Sequence, residues 1–226
     1  MRKRGFTLLE LLVATAIFAV VLSASYALLR SGREVTSRAE ARAQVFQTVR
    51  AALRAIEDDL RGAVMSGSAF DTGLIGTTSE TDGVPTDTLE LVAVNYWPDR
   101  SPDPSNEPAR KCDLSRVIYR IEDGKKASTD KRGLVRERQS VLTPVTVTVG
   151  QDENIEEIAA DVVGLEFRYL GENWEETWDS TTLKKLPKVI EAAIHVRSVW
   201  REETQVERFV TRFYLPVGAE TPEKQQ

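Results

Sequence analysis

Cysteine, histidine and methionine are nearly absent: the 226 residues hold Cys112, His195 and two methionines. A single cysteine excludes an intrachain disulfide and any zinc site built on paired thiolates. The single histidine leaves little room for acid–base chemistry. Alternation along 189–200 places His195 on one strand face with Glu191 and Arg197, opposite Ile190, Ala192, Ile194 and Val196, so it reads as a solvent-side residue. Cys112 falls in a proline-rich segment marked by Pro98, Pro102, Pro104 and Pro108, and no Ser-His-Asp or Cys-His set can be assembled. No glycine-rich phosphate loop follows a strand pattern. Neither a catalytic residue nor a cofactor is expected. A basic stripe is also lacking, since the basic residues are dispersed. Net charge is -5, and the tight basic cluster is Arg2, Lys3 and Arg4, which argues against a nucleic-acid partner. The acidic groups Asp58 with Asp59, and Asp152, Glu153, Glu156 and Glu157, read as solvated segments. The second is the better calcium candidate, but it lacks the spacing of a calcium loop, and no metal is expected.

One long apolar run stands against these absences. From Phe6 to Leu29 the chain is apolar apart from small hydroxyl residues, Tyr26 and Glu10, with no proline or glycine to break a helix. It meets the length of about 20 residues that a membrane-crossing helix needs. The basic residues before it orient the N-terminus to the cytoplasm, with the remainder exported. An ordinary signal peptide with small residues at Ser23, Ala24 and Ser25, or a plain anchor, satisfies the hydropathy. Neither has a use for a carboxylate inside the run, which costs a few kcal/mol unless it is partnered (about 3 on insertion scales).

Gly5-Phe6-Thr7-Leu8-Leu9-Glu10, followed by Leu11-Leu12-Val13-Ala14, resembles the N-terminus of type IV prepilins. The resemblance implies a prepilin peptidase that cuts after Gly5 and methylates the new N-terminal Phe6, with Glu10 as the assembly glutamate. A cut there exposes an α-amine about one helical turn from Glu10. In staggered helices it could neutralise a neighbour's carboxylate.

The helical pattern continues past the apolar run. Phe46, Val49, Leu53, Ile56 and Leu60 recur at spacings of three and four, forming the expected packing face, with Arg50, Arg54, Glu57, Asp58 and Arg61 opposite. Gly62 and Ser66-Gly67-Ser68 mark its end. A helix from Phe6 to about Val64 would be on the order of 90 Å long. A free-standing coiled coil is the alternative for its second half. Beyond it, 71–87 reads as a long loop. Leu89–Val94, Arg116–Ile121, Val163–Tyr169, Val189–Trp200 and Val206–Leu215 read as strands, the last two joined as a hairpin through Arg201-Glu202-Glu203. The tail after Pro216 is polar. Trp174 and Trp178 either close the end of the β-core or anchor a partner.

The expected organisation is a leader over 1–5, a transmembrane and assembly half-helix over 6–29, an amphipathic half over 30–65, and a β-rich head over 66–226. The fold class is α+β. Arg50–Arg61, Val163–Leu170 leading to Trp174 and Trp178, and Leu186–Glu191 resemble the J-type minor pseudopilin of type II secretion (general secretion pathway protein J). The missing mid-helix proline at Tyr26–Leu29 and the missing disulfide point away from a major pilin. The resemblance implies a pilin-like helix packed on a β-rich periplasmic head, held in the bacterial inner membrane and then at a pseudopilus tip. It implies I- and K-type minor pseudopilins and the major pseudopilin as partners, with nucleation of the fibre as the task. A minor pilin of a type IV pilus or competence fibre shares every N-terminal feature. A secreted β-domain behind an ordinary signal peptide is the reading from another class.

Overall fold

The computed structural model describes residues 8–65, 73–94, 114–124, 130–140, 155–200 and 203–215. Gly5, Phe6, Cys112, the prolines from Pro98 to Pro108, Asp152, Glu153, the 66–68 helix stop, the Arg201-Glu202 turn and the tail from Pro216 lie outside them.

The chain divides into two compact units, residues 1–44 and 45–226. In the first, every described residue is helical and belongs to α1 (Leu8–Arg61). This helix is long and apolar enough to cross a membrane. Its large apolar side chains from Leu8 to Leu29 are exposed, as a lipid-facing or subunit-facing surface requires. The hydroxyl residues do not spoil that surface. Ser23 donates to the Ala19 carbonyl at 2.7 Å, Ser25 to Val21 at 2.8 Å and Thr15 to Leu12 at 3.0 Å, so each polar group is satisfied within the helix.

In the second unit the end of α1 packs against antiparallel sheet. The strands are β1 (Ile75–Thr77), β2 (Glu80–Thr81), β3 (Val84–Pro85), β4 (Thr88–Val94), β5 (Leu114–Asp123), β6 (Arg132–Ser140), β7 (Ile155–Ala159), β8 (Val162–Leu170), β9 (Trp174–Glu175), β10 (Trp178–Asp179), β11 (Val189–Trp200) and β12 (Glu203–Tyr214). A single-turn helix, α2 (Ser180–Leu183), follows β10. One sheet runs β10-β1-β4-β5-β6-β7, a second runs β12-β11-β8-β9, and β2 with β3 forms a small hairpin. The architecture is therefore α+β, a long N-terminal helix on a β-rich head.

Gly62 ends the helix as expected. The chain then passes directly onto β4: Val64 N–H donates to Val92 O at 2.9 Å and Val94 N–H to Gly62 O at 2.8 Å. The segment 71–87, expected to be a loop, instead carries β1, β2 and β3 in its described part. These strands are only two or three residues long, too short for an alternation to register. Val163–Tyr169 lies within β8, and its even-sided residues differ from expectation in one respect: Gly164 is buried under the β2–β3 hairpin, where Val84 and Pro85 approach it.

The core joins Val49, Ile56 and Leu60 of α1 to Leu89, Val117 and Leu134 of the first sheet and to Leu165, Ile190 and Ile194 of the second. Tyr169 sits in it fully buried, its hydroxyl without a hydrogen-bond partner among the described residues. Burial, and then the nearby Asp87 charge, push its phenol far above the ordinary range. Gly76 of β1 lies over this ring, and a Cβ there would overlap the phenol oxygen. Gly76→Ala should therefore cost about 1–3 kcal/mol through overpacking. Tyr169→Phe, which removes an unsatisfied buried hydroxyl, should leave stability unchanged or raise it by up to about 1 kcal/mol, and should recover part of the Gly76→Ala loss. Thermal unfolding of the three variants checks this. A large loss in Tyr169→Phe alone would contradict it.

Candidate functional site

Glu10 lies in the first turn of α1, exposed among Leu8, Leu9, Leu11 and Leu12. Gly5 and Phe6, the residues proposed for cleavage and methylation, lie outside the described residues.

On the head side of the helix, Val49, Ile56 and Leu60 are buried and Leu53 is partly buried against the core. Phe46 is 48 % exposed and meets Phe209 of β12 edge-on, with ring centroids 5.6 Å apart. The buried stripe runs instead through Val45, Val49, Ala52, Ile56, Asp59 and Leu60. Small residues at 45 and 52 let the helix backbone approach the sheets, which leaves the larger Phe46 at the margin.

Asp59 corrects the expectation that Asp58 and Asp59 form one solvated acidic pair. Asp58 is exposed, but Asp59 is 1 % exposed and faces the first sheet. Arg136 and Arg138, alternate residues of β6 and so on one face, reach its two oxygens at 3.2 Å each. The Tyr119 hydroxyl of β5 donates to the same carboxylate and lies 2.8 Å from the Ala55 carbonyl. Arg136 also meets Glu156, its cross-strand neighbour on β7, at 2.5 Å. Burial works against the Arg136 charge, yet Tyr119, Glu156 and Asp59 more than offset it and raise its pKa. Burial first, and then the Asp59 charge, push the Tyr119 phenol well up. The Asp59 carboxylate thus ties α1 to β5 and β6, and Arg136 carries the link on to β7 through Glu156.

Of the acidic group weighed for calcium, Asp152 and Glu153 lie outside the described residues. Glu156 is held by Arg136, and Glu157 accepts from the Arg132 backbone N–H at 3.0 Å. Among the described residues no group of three or more metal-ligating side chains converges.

A second buried carboxylate, Asp87, joins the sheets. It accepts from the Phe167 N–H at 2.8 Å and the Ser79 N–H at 3.1 Å. Burial outweighs these bonds and raises its pKa. A raised carboxylate pKa means that the folded state holds the proton more tightly. Its contribution is therefore fullest below the ordinary carboxylate pKa and declines as pH rises through its own higher value. Asp87→Asn abolishes that titration. The stability advantage of the native residue over Asn should shrink as pH rises across this window, as followed by unfolding at a series of pH values; an advantage that grows with pH would contradict the assignment.

Trp178, offered as a possible partner contact, is 2 % exposed. Its indole N–H donates to Lys185 O at 3.3 Å, and its ring lies 6.3 Å from that of Tyr169, so it closes the β-core and presents no surface. Trp174 differs: it is partly exposed, with the guanidiniums of Arg168 and Arg212 over its ring at 5.5 and 5.4 Å. His195 is not the solvent-side residue expected. Its side chain is 17 % exposed, Nε2 is buried 3.9 Å from Glu166, and Cβ faces Gly164 at the foot of the β2–β3 hairpin, whose own approach sequence alternation does not reveal.

Comparison with known proteins adds two matches. The family described as type II secretion system (T2SS), protein J matches residues 27–209. The prokaryotic N-terminal methylation motif matches residues 1–26. No curated protein and no solved structure matches.

Proposed function

The chain belongs to the type II secretion system protein J family and is a membrane-anchored minor pseudopilin; from that premise we propose that it works as a structural subunit at the pseudopilus tip, nucleating the fibre. The observation that carries this reading is an apolar, exposed helix bearing Glu10, continuous in sequence with an amphipathic stretch that packs on a β-rich head. A prepilin peptidase cuts between Gly5 and Phe6 and methylates Phe6. Arg2, Lys3 and Arg4 keep the N-terminus in the cytoplasm, and the head lies in the periplasm. The I- and K-type minor pseudopilins and the major pseudopilin are its partners, and Trp174 belongs to the surface offered to them. The work is shape and register rather than catalysis, and it requires no cofactor.

Mass spectrometry of the membrane-extracted chain tests the processing: the expected N-terminus is N-methylated Phe6. A mature chain beginning near Tyr26 would remove the assembly helix and overturn the reading. Deleting the chain should abolish export by its own secretion system while leaving the other pseudopilins processed.

A further inference from the structure

β12 stands at the end of the second sheet, and among the described residues no strand pairs with its outer edge. It is twelve residues long, and a row of unpaired backbone donors and acceptors of that length is a template for another strand. Its two faces differ. One carries Phe209 and Phe213 toward the core. The other carries Val206, Arg208, Val210, Arg212 and Tyr214, of which Val206 is 52 %, Val210 47 % and Tyr214 76 % exposed.

The charge on this outward face has one sign in excess. Arg208 pairs with Glu166 at 2.9 Å and Arg212 with Glu191 at 2.7 Å, but both guanidiniums remain about half exposed. Arg168 shares Glu191, and Arg197 is exposed on the same face of β11. Cations therefore outnumber carboxylates here, although the chain as a whole is acidic. A second copy of β12 is a poor occupant. An antiparallel pair of these edges would bring both chains' Arg208 and Arg212 onto one face within cross-strand reach, where like charges repel.

We propose that the free edge of β12 receives an extended strand from the head of another pseudopilin, and that on the face this strand shares with Val206, Arg208, Val210 and Arg212 its side chains alternate between acidic and β-branched or other apolar. Backbone pairing supplies the affinity, and Arg208, Arg212, Val206 and Val210 select the sequence. The inference rests on the pseudopilin reading above and deepens it by naming the chemistry of one partner surface.

The test replaces Tyr214 with p-benzoylphenylalanine in the full chain, expressed in cells carrying its own secretion system. The expected adduct has the mass of this chain plus one other pseudopilin, and peptide mapping places it on an acidic–apolar strand. Val206→Glu with Val210→Glu should lower adduct yield roughly tenfold, whereas Val206→Lys with Val210→Lys should not. Thermal unfolding of both double variants checks that the head remains folded. The proposal is overturned by an adduct only with a second copy or with this chain's own residues, by equal loss in the two double variants, or by no adduct at all. If no adduct forms but the chain still co-purifies with the fibre, the docking surface alone is wrong. If the chain is dispensable for export, the pseudopilin reading falls with it.

Discussion

Asp59→Ala should lower the stability of the head by about 3 kcal/mol, a shift of roughly 6–12 °C in the unfolding temperature for a domain of this size. The cost comes less from the attraction lost than from what is left behind. Arg136 and Arg138 would stay close-packed under α1 with their shared carboxylate gone, and buried charge without compensation is expensive. Arg136 keeps Glu156, and the Tyr119 hydroxyl keeps the Ala55 carbonyl, which holds the loss near the lower end of the usual range. Two comparisons separate charge from space. Asp59→Asn retains most of the volume and some hydrogen bonding and should cost less. The triple change Asp59→Leu, Arg136→Met, Arg138→Leu should return close to native stability, since a buried ionic cluster replaced by packed apolar groups is often neutral. Circular dichroism melts of the full chain in detergent provide the measurement. A native melting point in Asp59→Ala would mean that the cluster does not hold the helix end to the sheet.

That cluster also marks where sequence reading stops. The carboxylate and Arg136 are 77 residues apart, and nothing local to either announces the other. Asp59 follows Asp58 in a polar stretch and looks solvated until β6 is placed beneath it. β6 itself escapes notice for the same reason: Arg136, Glu137 and Arg138 put charge on both of its faces, so no apolar alternation survives. Arg120 neutralises Glu137 from β5 at 2.5 Å, again across strands. By contrast β4, β5, β11 and β12 were legible as runs rich in β-branched and aromatic residues, and β8 because its apolar residues recur every second position. The helix was legible because its pattern is long and unbroken. The packing stripe was legible only in part: Val49, Ile56 and Leu60 are buried, but Val45, Ala52 and Asp59 share the stripe, while Phe46 is exposed and Leu53 half-buried. Phe46 has the hydrophobicity of a core residue, but Val45 has the size that the interface accepts. His195 and Gly164 depend on a short hairpin folding across them, a tertiary event without a local signature. Glu10 is the opposite case. It is conspicuous in one dimension, because its surroundings are apolar for several turns on the C-terminal side.

Glu10→Leu should leave leader cleavage and membrane insertion intact and remove the chain from the fibre. On its own the substitution makes the helix more compatible with lipid, by about 3 kcal/mol on insertion scales. A purely hydrophobic anchor would therefore be improved by it, and export should be unaffected if anchoring were the helix's whole task. If the carboxylate is instead neutralised by a neighbouring subunit's cut N-terminus, its removal forfeits a contact that exists only in the assembled state. A loss of about 3 kcal/mol there corresponds to roughly a hundredfold shift from assembled to free subunit. Glu10→Gln, which keeps the shape and drops the charge, should resemble Leu in assembly, while Glu10→Asp should retain part of it. Fractionation of sheared fibres from membranes, read alongside export, distinguishes the outcomes. Normal incorporation of the Leu variant would show that the acid inside the apolar run serves some purpose other than setting the register between neighbouring helices.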